Sequence, residues 1–168
     1  MTKRFITLLL LFGTSLQTLL PGPAFLGSTE WPILLGMILC IALRTDRPGA
    51  LYAGGLAGLL HDAFSPAPLG VSIPFFILIA LGVHAVREEV FSDQIITYFV
   101  LGLLGGLSKA LYFIFIFSVF GLRPVGAGVI AVHLWGSALL GVLTAPLLFL
   151  LLSARLRRQA RKRRQMAW

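Results

Sequence analysis

Apolar residues gather along the chain into six stretches, at 5–20, 31–43, 49–64, 69–86, 94–120 and 125–152. Each predicts a helix, and each break between them has a chemical cause. Pro21, Gly22 and Pro23 end the first stretch, the polar run from Arg44 through Pro48 and Gly49 separates the second from the third, and Ser65, Pro66 and Pro68 turn the third into the fourth. Arg87, Glu88 and Glu89 make the next turn, and Gly121, Arg123 and Pro124 the last. The second and third stretches are shorter than the ~17–25 residues of an ordinary membrane span, so a re-entrant or kinked element is the alternative for one of them.

Composition turns these helices into membrane spans. Of 168 residues 58% are hydrophobic and 12% charged, and the mean hydropathy is +0.94, which leaves too little polar surface to face water all round. The expectation is an all-α, multi-pass membrane protein of six transmembrane helices, with a helical domain at 1–154 and a basic tail at 155–168. Charge placement orients it. With both termini in the cytoplasm, Lys3, Arg4, Arg44, Arg47, Arg87 and the tail lie inside against Arg123 outside, whereas a re-entrant second segment would carry Arg44 and Arg47 across. Lys3 and Arg4 before an apolar stretch also have the look of a signal peptide, but no small-x-small cleavage pattern follows, so a retained first helix is expected. Tail residues Arg155, Arg157, Arg158, Arg161, Lys162, Arg163 and Arg164 directly follow a span, which favours anionic lipid over nucleic acid as their partner. The single cysteine, Cys40, excludes an internal disulfide.

Three ionisable groups fall inside the predicted spans at similar depth. At a rise of ~1.5 Å per residue, Asp62 lies about 20 Å in from Gly49, Lys109 about 22 Å in from Gln94, and His133 about 10 Å below the outer edge of a ~30 Å core. Gly54, Gly58 and Asp62 share one helical stripe, as do Gly102, Gly106 and Lys109. Two such small-residue grooves predict a contact between the third and fifth helices, sealed by an Asp62–Lys109 ion pair. Asp62 has a second, favoured role: accepting hydrogen bonds from the free amides that open the fourth helix, near Leu69, Gly70 and Val71. A substrate or proton role for it is the third possibility. His61 and His133 read as hydrogen-bonded packing residues, since no second metal-type ligand lies at helical spacing from either. Ser65, Ser72, Ser108, Ser118 and Ser137 have no paired base at a recognisable spacing, so no enzyme, metal or cofactor is expected.

The segment from Gly58 through His61, Asp62, Ser65 and Pro68 to Leu69 and Gly70, within a six-span layout of this length, resembles MreD, the family of bacterial rod-shape-determining membrane proteins. Its specific core is a Gly-x-x-x-Asp ending one span, a small and polar turn, then Leu-Gly opening the next. The resemblance implies a non-enzymatic scaffold in the bacterial cytoplasmic (inner) membrane, part of the rod complex or elongasome that governs cell shape and lateral peptidoglycan synthesis. It implies MreC as the most direct partner, with MreB, RodA and a class B penicillin-binding transpeptidase in the same complex. The glycine faces at Gly54, Gly58, Gly102 and Gly106 would serve either helix packing or that partner, not both at once.

A rival follows from architecture. Proteins of this kind are similar to the substrate-binding subunits (S components) of energy-coupling-factor vitamin transporters, compact six-helix bundles whose pocket lies toward the outer side. The outer segments at 22–30 and 121–125 are short and poor in hydrogen-bonding residues, which counts against a vitamin site. So does a first helix that lacks an alanine-spaced docking face.

Overall fold

The computed structural model describes residues 3–23, 29–65, 68–87, 94–119 and 127–165, with side chains described except at 117, 127, 129 and 153–165. Among the described residues every regular element is a helix: α1 (Lys3–Leu19), α2 (Ile33–Ala42), α3 (Arg47–Phe64), α4 (Ser72–Ala85), α5 (Ile95–Val119) and α6 (Ala127–Gln165). The turns expected at 66–67, 88–89 and 121–124 lie outside the described residues.

Two boundaries differ from the hydropathy pattern by more than two residues. Helix α4 starts at Ser72 rather than 69, because Gly70 takes a φ of 96°, which no helix accommodates. Helix α6 does not end where its apolar run ends but continues to Gln165, so the division drawn at residue 154 falls within one helix. After Pro146 no glycine or proline interrupts α6, and its leucines, arginines, lysines and glutamines are all strong helix formers. Helix α3 opens at Arg47, two residues before its apolar run, with Asp46 extended at the N-cap and Pro48 in the first turn.

The bundle is organised around its shortest member. All ten residues of α2 are buried, and α2 touches each of the other five helices. A helix apolar on every side belongs inside protein or lipid, and here the neighbours supply the cover. The other helices carry exposed large apolar residues, among them Phe12 on α1, Leu59 on α3, Leu78 on α4, Phe115 on α5 and Trp135 on α6. Among the described residues two segments, Ile95–Ile116 and Ile130–Leu152, are long and apolar enough to cross a membrane.

Small residues set two tight seams, joining α3 to α4 and α5 to α6. A β-carbon at Gly54 would stand 2.8 Å from the carbonyl oxygen of Phe76, and one at Gly58 would meet the backbone of Ile73. On the other seam, a β-carbon at Gly102 would overlap the carbonyl of Gly141, and one at Gly106 that of Ser137. The expected groove-to-groove contact between α3 and α5 is therefore not formed. Each glycine stripe is used by its sequence neighbour, because a short connection already delivers an antiparallel partner to it.

Cations collect at one end of the bundle. Arg87 donates to the Thr45 carbonyl at 2.9 Å, joining the end of α4 to the α2–α3 turn. The Arg44 guanidinium lies 5.3 Å from the Phe149 ring of α6, and Lys3 Nζ 5.8 Å from the Tyr52 ring near the start of α3.

The seams predict contrasting substitutions. Gly102→Val should lower stability by about 1–3 kcal/mol through overpacking against a backbone that cannot yield, whereas Gly82→Ala, with nothing within 4 Å of its new methyl, should be neutral or slightly stabilising. Thermal denaturation of both variants in one mild detergent checks the pair.

Candidate functional site: the Asp62 turn and its cleft

Three buried polar residues, His61, Asp62 and Ser72, meet at the junction of α3 and α4. Helix α4 begins with an amide that has no partner in its own helix, and its N-cap residue, Val71, has no side chain able to supply one. Asp62 supplies it from the last turn of α3. Its Oδ2 accepts from the Gly70 amide at 2.7 Å, and the Ser72 amide donates to the same carboxylate, 3.1 Å from Oδ2 and 3.2 Å from Oδ1. The carboxylate is 2% exposed, so its charge is held by these amides and by the positive end of α4.

Gly70 is required there for conformation rather than space: its φ of 96° lies in the left-handed region, yet nothing stands within 4 Å of where a β-carbon would be. Leu69, beside it, is 74% exposed and takes no part in the brace. His61 places Nδ1 3.1 Å from Ser72 Oγ, with its ring 5.6 Å from Phe76 and 5.4 Å from Phe113. From α5, the Tyr112 hydroxyl donates to the Val71 carbonyl at 2.7 Å, and its ring lies 5.1 Å from Phe75. Tyr112 was not singled out from the sequence, and Ser72 was named there only among serines without a paired base, whereas the fold sets its Oγ against His61. Tyr112 lies one turn from Lys109 on a helix of even hydropathy, so only the fold reveals that its hydroxyl reaches the turn.

Lys109 does not pair with Asp62. Its Nζ lies 3.9 Å from Glu30 Oε2, and the same oxygen lies 3.7 Å from His61 Nε2. The ion pair expected between helices three and five fails because the Asp62 oxygens are taken by backbone amides. A sequence signal for Glu30 existed: the six-span reading sets it at the level of Lys109, a lysine within an apolar stretch that needs an acid. His133 joins the same region, its Nδ1 3.4 Å from Thr29 Oγ1. The polar layer is thus assembled through Thr29 and Glu30, which reach α6, α3 and α5, and not by direct contact among Asp62, Lys109 and His133.

Beside the turn lies a cleft of about 220 Å³, lined by Thr14, Gln17 and Thr18 of α1, by Glu30, and by His61, Phe64 and Ser65 of α3 and its C-cap. The poor hydrogen-bonding capacity expected of the outer loops is made good by the last turns of α1, where buried Thr14, half-buried Gln17 and exposed Thr18 line the cleft. The four glycines considered as a partner surface, Gly54, Gly58, Gly102 and Gly106, are all committed to internal seams. Of the basic residues from Arg155 to Arg164, only the α6 backbone is described, and their side chains lie outside the described residues. No family model, curated protein or solved structure matches the chain.

Asp62→Asn should cost only about 1 kcal/mol, since one amide oxygen still reaches both donors. Asp62→Ala should cost about 2 kcal/mol or more by leaving the buried Ser72 amide unsatisfied, and replacing Lys109 as well should give no relief. Melting midpoints of the two single variants and of the double Asp62→Ala, Lys109→Met variant distinguish this from an ion pair, where the second change would restore stability.

Proposed function

We propose that this protein is a non-enzymatic, six-span scaffold of the bacterial inner membrane resembling MreD, which associates with MreC and helps hold the cell-wall elongation machinery together. The observation that carries the proposal is the α3–α4 hairpin. Its Gly58, Asp62 and Gly70, the residues on which the resemblance rests, have separate and compatible tasks: close helix approach, amide bracing and chain reversal.

The gathering of Lys3, Arg44 and Arg87 at one end of the bundle supports the orientation with both termini in the cytoplasm. In this arrangement the α6 extension carries its basic residues along the inner leaflet, where anionic lipid attracts them. Helix α2, at ten residues, rises only about 15 Å. It crosses the middle of the bundle sheltered by its neighbours and need not match the lipid thickness by itself. With the glycine stripes occupied, MreC contacts the exposed apolar faces of the outer helices, where shape matching rather than hydrophobicity decides the pairing.

Coexpression with MreC followed by purification in mild detergent tests the proposal. MreC should copurify with the chain, and the energising module of a vitamin transporter should not. The reverse pattern would replace the scaffold with a transporter subunit.

A further inference from the structure

The cleft beside the Asp62 turn has a donor and acceptor pattern that the brace leaves unused. His61 is 5% exposed, and its Nε2 has no hydrogen-bond partner among the described residues. The 3.7 Å that separates this nitrogen from Glu30 Oε2 is too long for a hydrogen bond. The nitrogen is itself covered, and a turn of the half-exposed Glu30 side chain is what admits a hydroxyl between the two. Thr14 and Thr18 donate their hydroxyl protons to the carbonyls of Leu10 and Ser15, so both oxygens retain acceptor capacity. Gln17 accepts from the Leu34 amide through Oε1, which leaves its NH₂ group to donate.

We propose that this cleft binds one neutral sugar ring, with Glu30, Gln17 and His61 bonding its hydroxyls and the exposed Phe64 ring covering an apolar face. Each competing ligand chemistry meets an obstacle. An anion would approach the Glu30 carboxylate, and a cation would displace Lys109, whose ammonium already lies 3.9 Å from that carboxylate. An apolar ligand would strand the buried His61 nitrogen and the Gln17 amide. The volume of about 220 Å³ falls below the ~300–1,000 Å³ of drug-sized pockets and suits a single ring. Phe64, 65% exposed at the edge, offers the flat apolar surface on which the C–H face of a sugar packs.

The ring has two sources, a free sugar or the head group of a glycolipid. Full-length protein in a detergent without a sugar head group is titrated with methyl glucoside, methyl galactoside and N-acetylglucosamine by saturation-transfer NMR. In parallel, nanodiscs with and without monoglucosyl diacylglycerol are compared by thermal shift. Saturable binding of a free sugar assigns a soluble ligand, and stabilisation by the glycolipid alone assigns a lipid head group. Either should weaken about tenfold or more in Glu30→Gln, which removes a charged acceptor, and also in Phe64→Ala. Phe64 is 65% exposed, so Phe64→Ala should keep the parent melting midpoint in the absence of sugar, whereas Glu30→Gln also takes the acid from Lys109 and should lower it. If Glu30→Gln fails to fold, Phe64→Ala still decides. The proposal is overturned if no probe binds saturably, or if binding stays within about twofold in the folded variants. It stands apart from the scaffold proposal, because copurification with MreC neither requires nor excludes an occupied cleft.

Discussion

A buried carboxylate accepting backbone amides is the constraint on which the rest of this bundle is arranged. Asp62 ends one helix and opens the next, holding the Gly70 and Ser72 amides with oxygens that have almost no access to solvent. The free alternative, an unpartnered charge and an unpartnered amide in an apolar interior, is expensive on both sides. That cost fixes the direction of α4 relative to α3 within narrow limits. The glycines at 54 and 58 then let the two backbones close along their length. From the other side, the Tyr112 hydroxyl and the cluster of His61, Phe75, Phe76 and Phe113 tie the same turn to α5. A polar anchor and an aromatic seal therefore act on the same few residues.

Packing elsewhere follows a simpler rule. Small residues bring sequence neighbours together as α3–α4 and α5–α6, and the wholly buried α2 fills the space among the helices around it. Ser137, Gly141 and Ala145 give α6 a narrow face onto Gly102 and Gly106, while large residues such as Trp135 and Leu139 point away. The α5–α6 seam and the Asp62 turn occupy different parts of the bundle, and Glu30 and Thr29 connect them by reaching Lys109 and His133.

Much of this was legible in the sequence wherever a single residue carries its own physical demand. Six apolar stretches marked six helices, Pro and Gly marked the turns, and an acid at the end of a span pointed to the amides opening the next helix. Pairwise choices were not legible. A glycine stripe shows that some backbone comes close without saying which, so Gly54 and Gly102 were matched to each other when each belongs to an adjacent helix. Equal depth suggested that Asp62 and Lys109 meet, but depth carries no azimuth, and Glu30 lay in a segment read as a plain connection. The polar residues of α1 that line the cleft, Thr14, Gln17 and Thr18, were hidden because a helix of this hydropathy gives little sign of which stripe faces protein.

A hairpin locked by an internal charge has a shape that persists without help from water. The most direct test of that lock is amide hydrogen exchange at Gly70 and Ser72 in the intact protein, measured by NMR in detergent micelles. If Asp62 holds both amides, they exchange as slowly as amides inside α4, and in Asp62→Ala both lose protection while the α5–α6 seam keeps its own. Fast exchange at Gly70 and Ser72 in the unmodified protein, or protection that survives Asp62→Ala, would contradict the account.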